Sequence, residues 1–239
     1  MQARPRSIHW GHSSCGYRHL RAAGYDSSPQ GVLVTSLDTL TALLGLRPLE
    51  MLAVLLGLIN IVLIVRRSVW NYPFGLAMVA IYAWIFAQPD VRLYSDVGLQ
   101  VFFFVVQLYG WWNWSKSEAE SGEVEVLLLS PRDRIGWIAA ITVATLAWGA
   151  LMHRYTIAAL PWWDAFIAMT SVCAQLLMAR RYLENWILWI AVDAVAIGVY
   201  AAKGLMLTAI LYTIFLIVSV LGLLSWRKAR LAERRMVAA

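Results

Sequence analysis

Seven apolar stretches lie between Leu49 and Trp226, each close to the ~20 residues that cross a hydrocarbon core. That pattern restricts the chain to a polytopic helical membrane protein, because lipid offers the backbone no hydrogen-bond partners and a helix satisfies its own. Spans are predicted at 48–65, 69–88, 93–114, 135–152, 161–180, 184–202 and 205–226. With 61% hydrophobic and 14% charged residues, the chain lacks the polar share that a soluble domain of 239 residues needs for its surface. Part of its 13 Trp and 10 Tyr is expected as a headgroup-level girdle. Cys15 and Cys173 fall in segments of different kind, so neither a disulfide nor a paired metal motif is expected.

The net charge of +6 does not point to nucleic acid, because the basic residues cluster at the ends of apolar segments. Twelve of them (Arg66, Arg67, Lys116, Arg132, Arg134, Arg180, Arg181, Arg227, Lys228, Arg230, Arg234, Arg235) fall on one side, against Arg92, Arg154 and Lys203 on the other. The positive-inside rule then predicts a cytoplasmic C-terminus and an external N-terminus. Residues 1–32 read as a disordered polar arm without the apolar core of a signal peptide, and 33–46 as an amphipathic helix on the membrane surface. His9, His12, Cys15 and His19 in that arm have ligand-like spacing, but nothing around them predicts a folded metal site. The acidic run Glu118, Glu120, Glu123, Glu125 reads as solvated linker within a cytoplasmic loop over 115–134, and 227–239 as a basic tail. Pro73 sits a turn inside the second predicted span, where it is expected to kink the helix and free a carbonyl.

An internal echo organises the spans. Arg66-Arg67-x-x-x-Asn71 recurs as Arg180-Arg181-x-x-x-Asn185, and Gly110 with Trp114 recurs as Gly222 with Trp226. Two triplets of helices, 48–114 and 161–226, are expected with 135–152 as a linker helix. Four crossings separate the matched junctions, so the repeats are parallel, an arrangement that places a transporter's substrate near mid-membrane between them.

Asp193 lies at the middle of the sixth span, with Trp186 and Trp189 on the same helical stripe. A carboxylate at bilayer depth should face a cavity or a partner. Beside two indoles it suits a flat cation, which would stack on a ring while its charge meets the acid; alternatively Asp193 bonds a neighbouring helix and the Trp pair is packing. Gln100 and Gln107 share a stripe of the third span and offer either ligand recognition or interhelical hydrogen bonds. Asn60, Asn71, Tyr212 and Thr208 are further polar candidates of that kind. Asp96 and Asp164 lie at span ends, Lys203 is expected to snorkel outward, and His153 to be interfacial.

No G-x-x-x-x-G-K-[ST], H-E-x-x-H or G-x-S-x-G occurs, so neither ATP hydrolysis nor a membrane enzyme is expected, and no cofactor is implied. The last span has no lysine midway to carry retinal.

With these residues in view, the chain resembles the PnuC family of bacterial nicotinamide riboside transporters from about Pro48 to Trp226. The resemblance rests on Asn71-Tyr72-Pro73-Phe74-Gly75; on Leu93-Tyr94, Leu99 to Phe104 and Tyr109 to Trp114; and on Trp163-Asp164 with Arg181 to Trp189. It implies an all-α, seven-span, 3+1+3 architecture like the SWEET sugar facilitators. It also implies a homotrimer in the bacterial inner membrane, and inward movement of unphosphorylated nicotinamide riboside. It implies a ligand held by the Trp-x-x-Trp-x-x-x-Asn/Asp stripe and third-helix amides, here Trp186, Trp189, Asp193, Gln100 and Gln107. Position 193 is Asp where some members have Asn; related subfamilies are thought to carry thiamine or riboflavin, and a carboxylate suits pyridinium or thiazolium equally. The expected mechanism is facilitated diffusion with alternating access, made unidirectional by a cytoplasmic nucleoside kinase. Proton exchange at Asp193 and a seven-helix sensor that binds without flux are the alternatives.

Overall fold

The computed structural model describes residues 48–89, 94–156 and 159–238. The expected arm at 1–32, with its His and Cys residues, and the expected interfacial helix at 33–46 lie outside the described residues. Among the described residues seven helices follow in order: α1 Pro48–Val65, α2 Asn71–Ala87, α3 Tyr94–Ser121, α4 Pro131–Tyr155, α5 Pro161–Ala179, α6 Glu184–Ala202 and α7 Met206–Ala238. Among the described residues, α1, α4, α5, α6 and most of α7 are long and apolar enough to cross a membrane, and α2 is an apolar helix of 17 residues.

The helices outrun the apolar stretches where polar sequence still favours helix. Of the tail expected at 227–239, residues 227–238 continue α7. Ser130 caps α4, its Oγ accepting from the Asp133 N–H at 3.2 Å, and Pro131 takes the first helical position, where a missing N–H is harmless. Pro73 does not kink α2 as expected. The helix starts at Asn71, which puts Pro73 in the first turn, and the carbonyl that finds an outside partner is that of Asn71, accepting from Asn60 Nδ2 at 2.7 Å.

Within each run of three or four helices, neighbours in sequence pack as neighbours in space: α1 on α2 and α2 on α3, then α4 on α5, α5 on α6 and α6 on α7. Two further contacts join the halves, α3 on α5 and α1 on α7. At the end where the basic residues gather, contacts recur at matched positions. α1 and α5 each stop with an arginine in the left-handed region, Arg67 at φ 57° and Arg181 at φ 65°. The following N–H groups turn back on the helix in the same way, Ser68 to the Leu63 carbonyl and Tyr182 to the Leu177 carbonyl, both at 3.0 Å. Asn71 Nδ2 donates to the Ser68 carbonyl and Asn185 Nδ2 to the Tyr182 carbonyl, starting α2 and α6. The indole N–H of Trp114 on α3 donates to the Met178 carbonyl of α5, and that of Trp226 on α7 to the Ile64 carbonyl of α1, both at 3.1 Å. Tyr72 meets Trp114 edge-on at 5.5 Å, as Trp186 meets Trp226 at 5.6 Å. Trp114 and Trp226 touch each other, and this aromatic cluster is the buried core of the basic end.

The acidic run is only partly the solvated linker expected. Glu118 and Glu120 are exposed on the last turns of α3, but residues 122–130 form an extended strap docked across the basic end. Val124 and Val126 are buried there. Arg67 donates to Glu123, to the Val124 carbonyl and to Glu233 of α7. Leu127 forms a parallel bridge with Tyr182, and Glu184 accepts from the Leu129 N–H and from Arg134. The strap therefore joins the two junctions by different means: main-chain bonds from the Leu127 N–H to the Arg181 carbonyl and from the Leu183 N–H to the Leu127 carbonyl hold it at the α5–α6 junction, while the Arg67 side chain holds it at the α1–α2 junction.

Candidate functional site

A cavity of about 460 Å³ opens among α1, α2, α5, α6 and α7, within the size range of small-molecule sites. Ile64, Met178 and Trp186 line it and also belong to the aromatic cluster, so that cluster closes the cavity toward the basic end. Farther in lie Trp189, Asp193 and Ser219, and beyond them Tyr82, Tyr212 and Phe215 supply aromatic walls. Tyr212 stacks on Tyr200 at 5.2 Å and meets Phe215 edge-on at 5.8 Å.

The placement of Trp186 follows from a glycine. Gly222 on α7 leaves room for the Trp186 ring: a Cβ there would lie 2.5 Å from two of its ring atoms. Gly110 does the same for Tyr72 in the other half. Trp186 is buried against α7 while its neighbour Trp189, one turn on, is half-buried along the cavity.

Asp193 is 2% exposed and accepts a hydrogen bond from Ser219 Oγ at 2.9 Å through Oδ2. Its other oxygen has no donor among the described residues. It is also the one formally charged side chain among the described residues lining the cavity, and no Lys, Arg or His faces it there. The indole N–H groups of both Trp186 and Trp189 are buried without a partner. Buried donors left unsatisfied cost about 1–3 kcal/mol each, a cost that a bound ligand or water relieves. The arrangement offers one negative charge, two free donors and several ring faces, which together are the means to hold a planar organic cation.

Five sequence candidates meet at this cavity: Trp186, Trp189, Asp193, Asn60 and Tyr212. Three do not line it. Asn71 is buried at the start of α2, where its amide makes the capping bond to Ser68. Gln107 is buried with its side-chain carbonyl against Gly75, and Gln100 is half-buried on α3. Sequence reading overlooked Ser219, Ser171 and Gln175. Two of these carried a signal, since Ser171, Gln175 and Met178 are spaced as one stripe of an otherwise apolar helix. Asp164 and Lys203 form an ion pair at 3.0 Å at the opposite end from the arginines, so Lys203 is not simply snorkelling outward.

Comparison with known proteins agrees with this picture. Residues 47–228 match the family described as nicotinamide mononucleotide transporter. The nicotinamide riboside transporter PnuC of Escherichia coli (strain K12) is 27% identical over 203 residues, covering 74% of this chain and 84% of that protein. PnuC of Neisseria mucosa is 30% identical over 192 residues, covering 75% and 72%. The riboflavin/roseoflavin transporter RibM of Streptomyces davaonensis is 30% identical over 180 residues, covering 74% and 83%. The crystal structure of the vitamin B3 transporter PnuC matches with a TM-score of 0.61 at 28% identity, over 83% of this chain and 86% of that one.

Proposed function

This chain belongs to the nicotinamide mononucleotide transporter family, and we propose that its cargo is nicotinamide riboside rather than the mononucleotide. The observation that carries the choice is Asp193, the lone charge on the described cavity lining. The riboside brings a pyridinium that the carboxylate attracts and the indole faces accept. The mononucleotide adds a phosphate, and no cation on the described lining meets it. At ~5 Å from Asp193, each added negative charge would cost about 3 kcal/mol at an effective dielectric of 20.

The mechanism we infer is facilitated diffusion by alternating access between two parallel triplets, α1–α3 and α5–α7, with α4 as linker. The matched arginine turns, asparagine caps and indole-to-carbonyl bonds support that 3+1+3 arrangement. In this reading the aromatic cluster is the closed cytoplasmic gate, the N-terminus is external, and the protein works as a homotrimer in a bacterial inner membrane. A cytoplasmic kinase then traps the product, because phosphorylation makes it a poor ligand for the same cavity.

Purified protein in liposomes should equilibrate labelled nicotinamide riboside, without net accumulation under a pH gradient, and should ignore the mononucleotide. Gradient-driven accumulation would replace the facilitator with proton exchange at Asp193, and binding without flux would make the chain a sensor. Thiamine and riboflavin belong in the same assay. The 30% identity to RibM favours a second reading in which a neutral flavin is carried, and riboflavin flux exceeding riboside flux would establish it.

A further inference from the structure

Among the polar side chains that line the cavity, Gln175 of α5 is alone in having an amide with neither end engaged: no described residue donates to its carbonyl or accepts from its NH2. Asn60 has given its NH2 to the Asn71 carbonyl, Ser171 donates to Ile167, and Ser219 donates to Asp193. The amides of α3 that could have served lie off the cavity lining.

Its depth follows from the helices. Met178 and Trp186 meet in the aromatic cluster, so α5 and α6, running in opposite directions, are level there. Gln175 and Trp189 each lie three residues farther in, hence at one level, and Asp193 is four residues beyond Trp189, about 6 Å along the helix at 1.5 Å per residue. A pyridinium with a 3-carboxamide spans about 5 Å from ring nitrogen to amide by covalent bond lengths. Stacked on Trp189 with its charge toward Asp193, such a ring carries its carboxamide to the level of Gln175.

We propose that Gln175 reads the substrate's carboxamide through paired amide hydrogen bonds and so sets specificity for nicotinamide over other cationic rings. A free primary amide presents one donor and one acceptor side by side, which another primary amide complements and which a carboxylate, lacking a donor, does not. This inference rests on the riboside reading above and names the part of the ligand that Asp193 does not recognise.

The test is binding to the purified full chain in detergent, by titration of tryptophan fluorescence, with two probes: nicotinamide riboside and the same pyridinium riboside lacking the carboxamide. Wild type should hold the first about tenfold more tightly, the worth of two net hydrogen bonds. In Gln175→Met, and again in Gln175→Leu, the difference should vanish while affinity for the plain pyridinium riboside stays within about twofold. That retained affinity also reports that the variants are folded. A wild-type protein that binds both probes equally overturns the inference alone, as does a difference that survives both substitutions or an equal loss for both probes. A wild type that binds neither overturns the riboside reading, and the role of Gln175 falls with it.

Discussion

Adding one methyl group at Gly222 separates the packing of the helix bundle from the shape of its cavity. A Cβ there would stand 2.5, 2.5 and 2.6 Å from three atoms of the Trp186 ring, about 1 Å inside ordinary carbon contact. The ring has little room to yield, being 1% exposed and wedged edge-on against Trp226 at 5.6 Å. Overpacking of this kind costs about 1–3 kcal/mol. Because Trp186 also lines the cavity, the displaced ring must intrude on the ligand, and a loss of about 1.4 kcal/mol is tenfold in affinity. Gly110→Ala is the matched control. Its Cβ would meet Tyr72 at 2.5 to 3.0 Å, at the equivalent place in the other half, but Tyr72 does not line the cavity. Both variants should therefore lower the unfolding midpoint in detergent by similar amounts, and only Gly222→Ala should weaken nicotinamide riboside about tenfold. Equal effects on binding, or an unchanged midpoint for Gly222→Ala, would refute the reasoning.

Asp193→Asn should weaken nicotinamide riboside by between ten- and a hundredfold, the worth of a desolvated charge contact of about 1.4–2.7 kcal/mol, while leaving any riboflavin binding unchanged; calorimetry with both ligands checks it, and equal loss for both contradicts the electrostatic account. Trp114→Phe and Trp226→Phe each delete an indole donor from a helix-end carbonyl that keeps its bond from the Arg181 or Arg67 N–H, so each should cost about 0.5–1.5 kcal/mol in denaturant unfolding, and unequal costs would count against equivalence of the two sites. Arg67→Gln removes bonds to Glu123, Val124 and Glu233. With those partners partly exposed the stability loss should stay near 1 kcal/mol, but limited proteolysis should begin cutting within 122–128, and resistance equal to wild type would mean the strap does not depend on it.

The helices were legible because the apolar stretches have the length that lipid imposes, and the matched turns at Arg67 and Arg181 because Arg-Arg-x-x-x-Asn appears twice at the same junction. What joins the halves was not legible. The acceptors for Trp114 and Trp226 are main-chain carbonyls at Met178 and Ile64, and a sequence carries no mark of which carbonyl a distant indole will find. Asp193 and its tryptophans stood out because a lone acid is rare in an apolar span. Gln175 did not, since an uncharged amide is cheap enough there to pass for ordinary helix contact. The third-span glutamines have the same chemistry, and only tertiary packing tells an amide turned toward Gly75 from one on the cavity wall. The strap was hidden because charge counting reads Glu123 as solvated, whereas its partner Arg67 lies far back in the sequence.

The reciprocal indole bonds have an evolutionary consequence. Each latch has a side chain on one jaw and bare peptide on the other, so mutation can remove the hook but never the eye. Ile64 and Met178, at matching turns of α1 and α5, carry different side chains yet offer the same carbonyl to a tryptophan.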